Sequence, residues 1–313
     1  MKAEMKIFAG TSVPDLAEEV ARVFGTSLGK VNIKHFSCGE IYVRFAETVR
    51  GDDVYVIQSV CPPVNENLVE LLLMTDALKR ASAGRINAVL PHYGYARQER
   101  KEAPREPISA RMIADVLQTV GVHRVITIDL HAPAIQGFFD IPVDHLTALP
   151  LIADYFRKKR LEDAVVAALD AGGIKTAEKL ASRLNLPLVA MYKRHPAHNV
   201  AEVTHVIGDV EGKVPIIMED MIDTGGTLVE GVKALLEHGA KPEVHVAATH
   251  PVFSGPIAQR LAHPAIKEVV VTNTIPISPE KKLPKVILIS IAPLVAAAIS
   301  RVHEETSVSE LFV

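Results

Sequence analysis

At 313 residues, 48% hydrophobic and 23% charged, with a formal net charge of -3, the chain can bury a core and is excluded from the disordered class. Thirty-four Lys and Arg against 37 Asp and Glu provide no general polyanion-binding charge. With no Trp, nine Phe and six Tyr, base stacking is poorly supplied as well, so nucleic acid is not an expected partner.

The opening Met1-Lys2-Ala3-Glu4-Met5 carries an early acid and leads into Ile7-Phe8-Ala9-Gly10 without the apolar core of a secretory signal, which predicts a cytoplasmic protein. Short β-branched runs then alternate with segments of helical period, the pattern of an α/β protein with mainly parallel central sheets. Strands are expected at Lys6 to Ala9, Val54 to Ile57, Ile86 to Leu90, Val125 to Ile128 and Val165 to Leu169. Others are expected at Leu188 to Met191, Pro215 to Met218, Val244 to Ala248 and Val269 to Thr272. Helices are expected over Asn67 to Ser82, Ser109 to Val120, and Leu228 to His238, the last closed by Gly239. At roughly 150 residues per domain the length suggests two units, and the strand-helix rhythm restarts around Leu146 to Pro150, dividing 1–147 from 148–313. The most apolar stretch, Val286 to Ile299, is interrupted by Ser290 and Pro293 and is shorter than the roughly 20 residues of a membrane helix, so no membrane association is expected. Cys38 and Cys61 are too few for a disulfide framework and read as two half-buried side chains in a reducing cytosol.

Chemistry-bearing residues collect after the expected strands. Arg97, Gln98, Arg100, Lys101 and Arg105 lie in a polar stretch that suits a loop closing over a polyphosphate, since an arginine fork pairs with phosphate oxygens. A solvated charged loop fits equally, because Glu99, Glu102 and Glu106 offset most of that charge. His131 and Asp170 each follow a strand, where parallel sheets bind ligands, although a single His there is also a common structural residue. Met191-Tyr192-Lys193-Arg194-His195-Pro196 is a basic strand end that could meet substrate or simply be solvated. The strongest signal is Glu219-Asp220-Met221-Ile222-Asp223-Thr224-Gly225-Gly226-Thr227, a strand running into two acids and then a Gly-Gly turn opening a helix. Free N–H groups at that helix start favour an anion, and the acids would accept sugar hydroxyls or hold a metal beside it. An acidic helix cap with a glycine turn is the plainer alternative.

This run resembles the ribose-phosphate loop of the phosphoribosyltransferase fold. Tyr95-Ala96-Arg97-Gln98-Glu99-Arg100, Arg105-Glu106-Pro107-Ile108-Ser109-Ala110, Ile128-Asp129-Leu130-His131-Ala132 and Ile135-Gln136-Gly137-Phe138-Phe139-Asp140 narrow the resemblance to the ribose-phosphate pyrophosphokinase family. It extends from about Lys6 to Phe312. The resemblance implies two similar phosphoribosyltransferase-type lobes, the first handling nucleotide and the second ribose phosphate. It implies transfer of diphosphate from Mg-ATP to the anomeric hydroxyl of ribose 5-phosphate, with Mg²⁺ as cofactor. In that pattern Lys193 is catalytic; Phe36, Cys38, Gly39, Glu40, Arg97, Gln98 and Arg100 contact ATP. His195, Glu219, Asp220, Asp223, Thr224, Gly225, Gly226 and Thr227 hold ribose 5-phosphate, and His131 and Asp170 attend the metal. The family also implies a dimer-based homo-oligomer, a hexamer, with phosphate and ADP regulation near Thr48, Arg50, Ser82, Arg105 and the Ser307 to Phe312 tail.

Four positions depart from the pattern. His195 replaces an arginine, Glu219 a shorter acid and Cys38 a polar residue, while Ala103-Pro104 alters the arginine loop. The first two keep a non-catalytic nucleotide-binding regulatory homologue under consideration. A base-transferring phosphoribosyltransferase is the other alternative; it would consume phosphoribosyl pyrophosphate and need no ATP.

Overall fold

In the computed structural model, residues 3–194 and 203–312 are described, without the side chains of Lys193, Arg194, Val203, Thr204 and Phe312. The chain divides into two compact units: Met1–Thr147 with Thr274–Pro276 and Ser290–Val313, and Ala148–Asn273 with Ile277–Ile289.

The first unit contains β1 (Met5–Ala9), α1 (Pro14–Phe24), β2 (Val31–His35), β3 (Ile41–Phe45), β4 (Asp53–Ile57), α2 (Val64–Arg80), β5 (Arg85–Leu90), α3 (Ser109–Val120), β6 (Arg124–Ile128) and β7 (Val143–Leu146). Its central sheet has the order β1-β4-β5-β6-β7, and every pairing is parallel. All five residues of β4 are buried, as a parallel strand covered on both faces must be. Strands β2 and β3 instead form a separate antiparallel hairpin. Local chemistry sets the helix ends: Pro14 opens α1, and Gly25 and Gly121 close α1 and α3 in the left-handed conformation.

The second unit contains α4 (Leu149–Lys159), β8 (Ala164–Ala168), α5 (Ile174–Leu184), β9 (Leu188–Arg194), β10 (Val203–Ile207), β11 (Val214–Ile222), α6 (Gly226–Glu237), β12 (Val244–Pro251), α7 (Ile257–Leu261), β13 (Ile266–Thr272) and β14 (Val286–Ile289). The sheet order is β10-β9-β8-β11-β12-β13-β14, parallel except for the edge pair β10 and β9. From β8 the chain winds outward to β9 and then returns to add β11 on the other side. This reversal makes a crevice at the carboxyl ends of β8 and β11, the position where open parallel sheets take ligands.

The last helix, α8 (Ala292–His303), belongs with the first unit, although the sequence reading groups 148–313 together. Ser290 donates to the Glu19 carboxylate, and the His303 imidazole lies 2.8 Å from Asp53. These contacts span most of the chain, so no local pattern announces them. Burial of Asp53 is offset by Arg85 (2.6 Å), Asn87, Tyr55 and His303, whose hydrogen bonds hold its pKa below the usual carboxylate value against the opposing effect of desolvation.

The two cysteines also part company. Cys38 is exposed in the β2–β3 turn, whereas Cys61 is fully buried and its thiol is pushed up to about 11 by desolvation, so the expectation of two half-buried thiols is corrected. Among the described residues no helix is long and apolar enough to cross a membrane.

Candidate active site

Strand β11 does not stop before its two acids. It continues to Ile222, with Glu219 paired to Ala248 and Met221 to His250 on β12, so Glu219 and Asp220 are strand residues held by the ladder. Asp170 lies just beyond the carboxyl end of the neighbouring β8 and accepts the Gly173 N–H at 2.9 Å. The Glu219 Oε1 atom is shielded from water and has no hydrogen-bond partner. Desolvation, then repulsion from Asp170 and from Asp220, pushes the Glu219 carboxyl up to about 8 from an ordinary 4.5. Three acids thus converge electrostatically in the crevice between β8 and β11, and one is starved of a donor.

Beyond Ile222 the chain turns through Asp223 and Thr224 to Gly225, which caps α6 at φ 77°. Only glycine adopts this left-handed conformation without penalty. Space demands glycine as well: a Cβ here would come within 2.6 Å of Ile257 Cδ1. Thr224 and Thr227 are exposed beside the start of α6, whose first-turn N–H groups lack intrahelical acceptors and favour an anion.

The corresponding end of the first unit is filled. Thr11 donates from its N–H and its hydroxyl to Glu70, each at 2.7 Å; Gln58 Nε2 donates to the same carboxylate at 2.8 Å, and Ser12 Oγ to Gln58 at 2.6 Å. A Cβ on Gly10 would collide with Gln58 at 2.2 Å. A satisfied network of this kind lies beyond the carboxyl ends of β1 and β4, whereas the acid cluster of the second unit keeps an unpartnered carboxylate oxygen.

The remaining sequence candidates have these positions. Phe36, Cys38, Gly39 and Glu40 form the exposed tip of the β2–β3 hairpin, where Phe36 stacks edge-on with Tyr42 at 6.1 Å. Arg97, Gln98 and Arg100 follow β5; Gln98 accepts from Ser109 at 2.6 Å and Arg100 pairs with Glu102 at 2.8 Å. His131 is exposed three residues after β6, which ends at Ile128 as the sequence suggests. Lys193 lies on β9 opposite Thr204 of β10, and His195 lies outside the described residues. Arg50 and Ser82 meet at 3.4 Å in the first unit. Sequence reasoning missed Arg260 on α7, which donates to the Thr224 carbonyl at 2.7 Å and belongs to no motif.

A mainly parallel sheet with an acid pair and a glycine-capped helix start at its point of reversal defines an α/β protein of the open-sheet class that takes ligands at that crevice. Residues 5–121 match the family model for the N-terminal domain of ribose phosphate pyrophosphokinase, and residues 189–313 match that for the phosphoribosyl synthetase-associated domain. A ribose-phosphate pyrophosphokinase of Bacillus caldolyticus is 54% identical over 99% of this chain and 98% of its own, and one of Bacillus subtilis is 52% identical over 98% and 97%. The crystal structure of phosphoribosylpyrophosphate synthetase from Mycobacterium smegmatis, 47% identical, superposes with a TM-score of 0.92 over 96% of this chain and 99% of that one. The chain belongs to the ribose-phosphate pyrophosphokinase family, and it is an enzyme.

Proposed function

We propose that the crevice between β8 and β11 is where ribose 5-phosphate is held while diphosphate is transferred to it from ATP, giving phosphoribosyl pyrophosphate and AMP. The observation that carries the assignment is the buried Glu219 Oε1 without a donor, set beside Asp170 and Asp220 and next to the glycine-capped start of α6. Sugar hydroxyls are donors and a 5-phosphate is an anion, so one molecule answers both needs.

In this reading Glu219 and Asp220 accept from the ribose hydroxyls, and the Thr224 to Thr227 loop takes the phosphate. Phe36, Cys38, Gly39, Glu40, Arg97, Gln98 and Arg100 serve ATP. Lys193, aided by Arg194 and His195, neutralises charge on the group in transit. Phosphoryl transfer needs alignment and charge neutralisation more than covalent help, so fixed cations and oriented N–H groups suffice as protein machinery.

The acid cluster also fits Mg²⁺, a hard cation that takes one or two carboxylates and completes its shell with waters and substrate phosphates. Among the described residues no three His, Cys, Asp or Glu side chains form a ready-made cage, so Asp170 with Glu219 or Asp220 would hold the ion jointly with substrate, and His131 would hydrogen-bond phosphate. Bound Mg²⁺ supplies charge neutralisation of phosphate oxygens. We further assign a cytosolic, dimer-based homo-oligomer with phosphate and ADP acting near the Arg50 and Ser82 pair.

Glu219 provides the test. Its folded pKa is raised, so between 4.5 and about 8 the folded chain binds a proton that the unfolded chain does not. Stability from this group is therefore full below 4.5 and is lost as pH climbs through about 8. Urea unfolding in chelator is expected to show a downward slope across that window, at most about 1.4 kcal/mol per pH unit, that Glu219→Gln flattens. Calorimetry in buffers of differing ionisation heat should then detect proton release when ribose 5-phosphate and Mg²⁺ bind at pH 7, and less of it from Glu219→Gln, where only the substrate phosphate still gives up protons. Equal proton release from both proteins would remove Glu219 from the site.

A further inference from the structure

Segment Ile222 to Thr224 is sewn along its back to the chain between β12 and α7. Phe253 N–H donates to the Ile222 carbonyl at 2.9 Å, and Ser254 N–H to the Asp223 carbonyl at 3.1 Å. The third carbonyl in the series, that of Thr224, is taken by a side chain: Arg260 Nη1 donates to it at 2.7 Å. The arginine runs directly beneath the glycines. Its Cβ and Cδ lie 3.7 Å from where a Gly225 Cβ would stand, and its Nη1 lies 3.6 Å from the same position on Gly226. Ile257, three residues earlier and on the same face of α7, touches the Gly225 position at 2.6 Å, so the loop backbone rests on a platform made by these two side chains.

The consequence follows from peptide geometry. In a trans peptide the carbonyl and the following N–H point in opposite directions, so anchoring Thr224 C=O to Arg260 turns the Gly225 N–H to the face away from Arg260. It also directs towards Arg260 a carbonyl dipole that would repel an anion, and sets a guanidinium charge behind the loop. Gly225 has freedom to flip, since glycine populates both signs of φ, and the Arg260 bond is what selects one orientation.

We propose that Arg260 is a positioning residue for the phosphate of ribose 5-phosphate: it presets the Thr224–Gly225 peptide and backs the loop with positive charge, without being a phosphate ligand itself. The inference rests on the assignment of this loop to the 5-phosphate.

Steady-state kinetics of Arg260→Ala, Arg260→Gln and Arg260→Lys test it. A lost hydrogen bond from a charged donor corresponds to about a ten- to hundredfold rise in KM for ribose 5-phosphate in the Ala and Gln variants. KM for ATP should stay within about twofold, and Arg260→Lys should recover part of the loss, because an ammonium keeps the charge and one donor but not the fork. A merely structural arginine would lower melting temperature and active fraction while leaving KM unchanged, and that result in any folded variant overturns the proposal. Thr227→Val, measured alongside, separates the two levels. If Thr227→Val raises KM for ribose 5-phosphate and the Arg260 variants do not, the positioning role alone fails. If neither moves it, and inorganic phosphate does not compete with ribose 5-phosphate in the parent enzyme, the phosphate assignment of the loop fails with it.

Discussion

Replacing Lys193 with alanine is expected to lower kcat by about a hundred- to a thousandfold, with KM for both substrates nearly unchanged. A cation that meets charge only as it develops on the diphosphate group stabilises the transition state and not the ground state, so its removal appears in turnover. The expected loss corresponds to about 3 to 4 kcal/mol, the usual size for one fixed electrostatic contact in a closed site. Strand β9 supports the assignment, because it neighbours β8 on one side and forms the antiparallel edge pair with β10 on the other, placing Lys193 in the same sheet as the acid-bearing strands. Stopped-flow detection of AMP, with nucleotide binding followed separately, checks the split. A variant that instead loses ATP or ribose 5-phosphate affinity with intact turnover would make Lys193 a ground-state ligand.

The second large effect is expected at Gly225. Valine there must adopt φ near 77°, a conformation costing a side-chain-bearing residue about 1–2 kcal/mol and more when β-branched. Its Cβ must also displace Ile257 Cδ1 from a distance of 2.6 Å in a packed site, and such overpacking adds about 1–3 kcal/mol. The cheapest escape is for the loop to lift from α7, carrying its N–H groups out of register with the phosphate. Gly225→Val is therefore expected to raise KM for ribose 5-phosphate by about a hundredfold and to lower the melting temperature by several degrees. Gly225→Ala combined with Ile257→Val should recover more activity than Gly225→Ala alone, since it relieves the contact but not the backbone strain. Equal KM in parent and Gly225→Val would show that the loop geometry is irrelevant to substrate.

Much of this was legible in the sequence because its signals are local. The expected helix Ser109 to Val120 has the observed bounds, set by a strong apolar stripe and by Gly121. The buried strands were visible as apolar runs, most of them extended by a residue or more where polar ends such as Asp53 and Arg85 join the ladder, while β8 is shifted by one residue to Ala164–Ala168. Strand β11 was underestimated for a related reason: Glu219 and Asp220 look like a strand end, yet register with β12 carries the strand three residues past Glu219. The β2–β3 hairpin stayed hidden because its residues are half-buried or exposed throughout and carry little apolar contrast. The longer helix α2 starts at Val64 rather than Asn67, since Pro63 can precede a helix without a side-chain cap. Contacts distant in sequence were beyond local reading altogether. Arg260 meets Thr224 across 36 residues from a helix of only five, and Asp53 meets His303 across 250. The motif identified the loop, while the residue supporting it from behind became visible only in three dimensions.

Phosphorus-31 NMR of the purified enzyme with Mg-ATP and ribose 5-phosphate tests the central claim most directly. The expected result is stoichiometric appearance of AMP and of a diphosphate ester on the anomeric carbon, dependent on both substrates and absent in Lys193→Ala over the same interval. Formation of ADP, or no AMP despite bound ATP and ribose 5-phosphate, would contradict it.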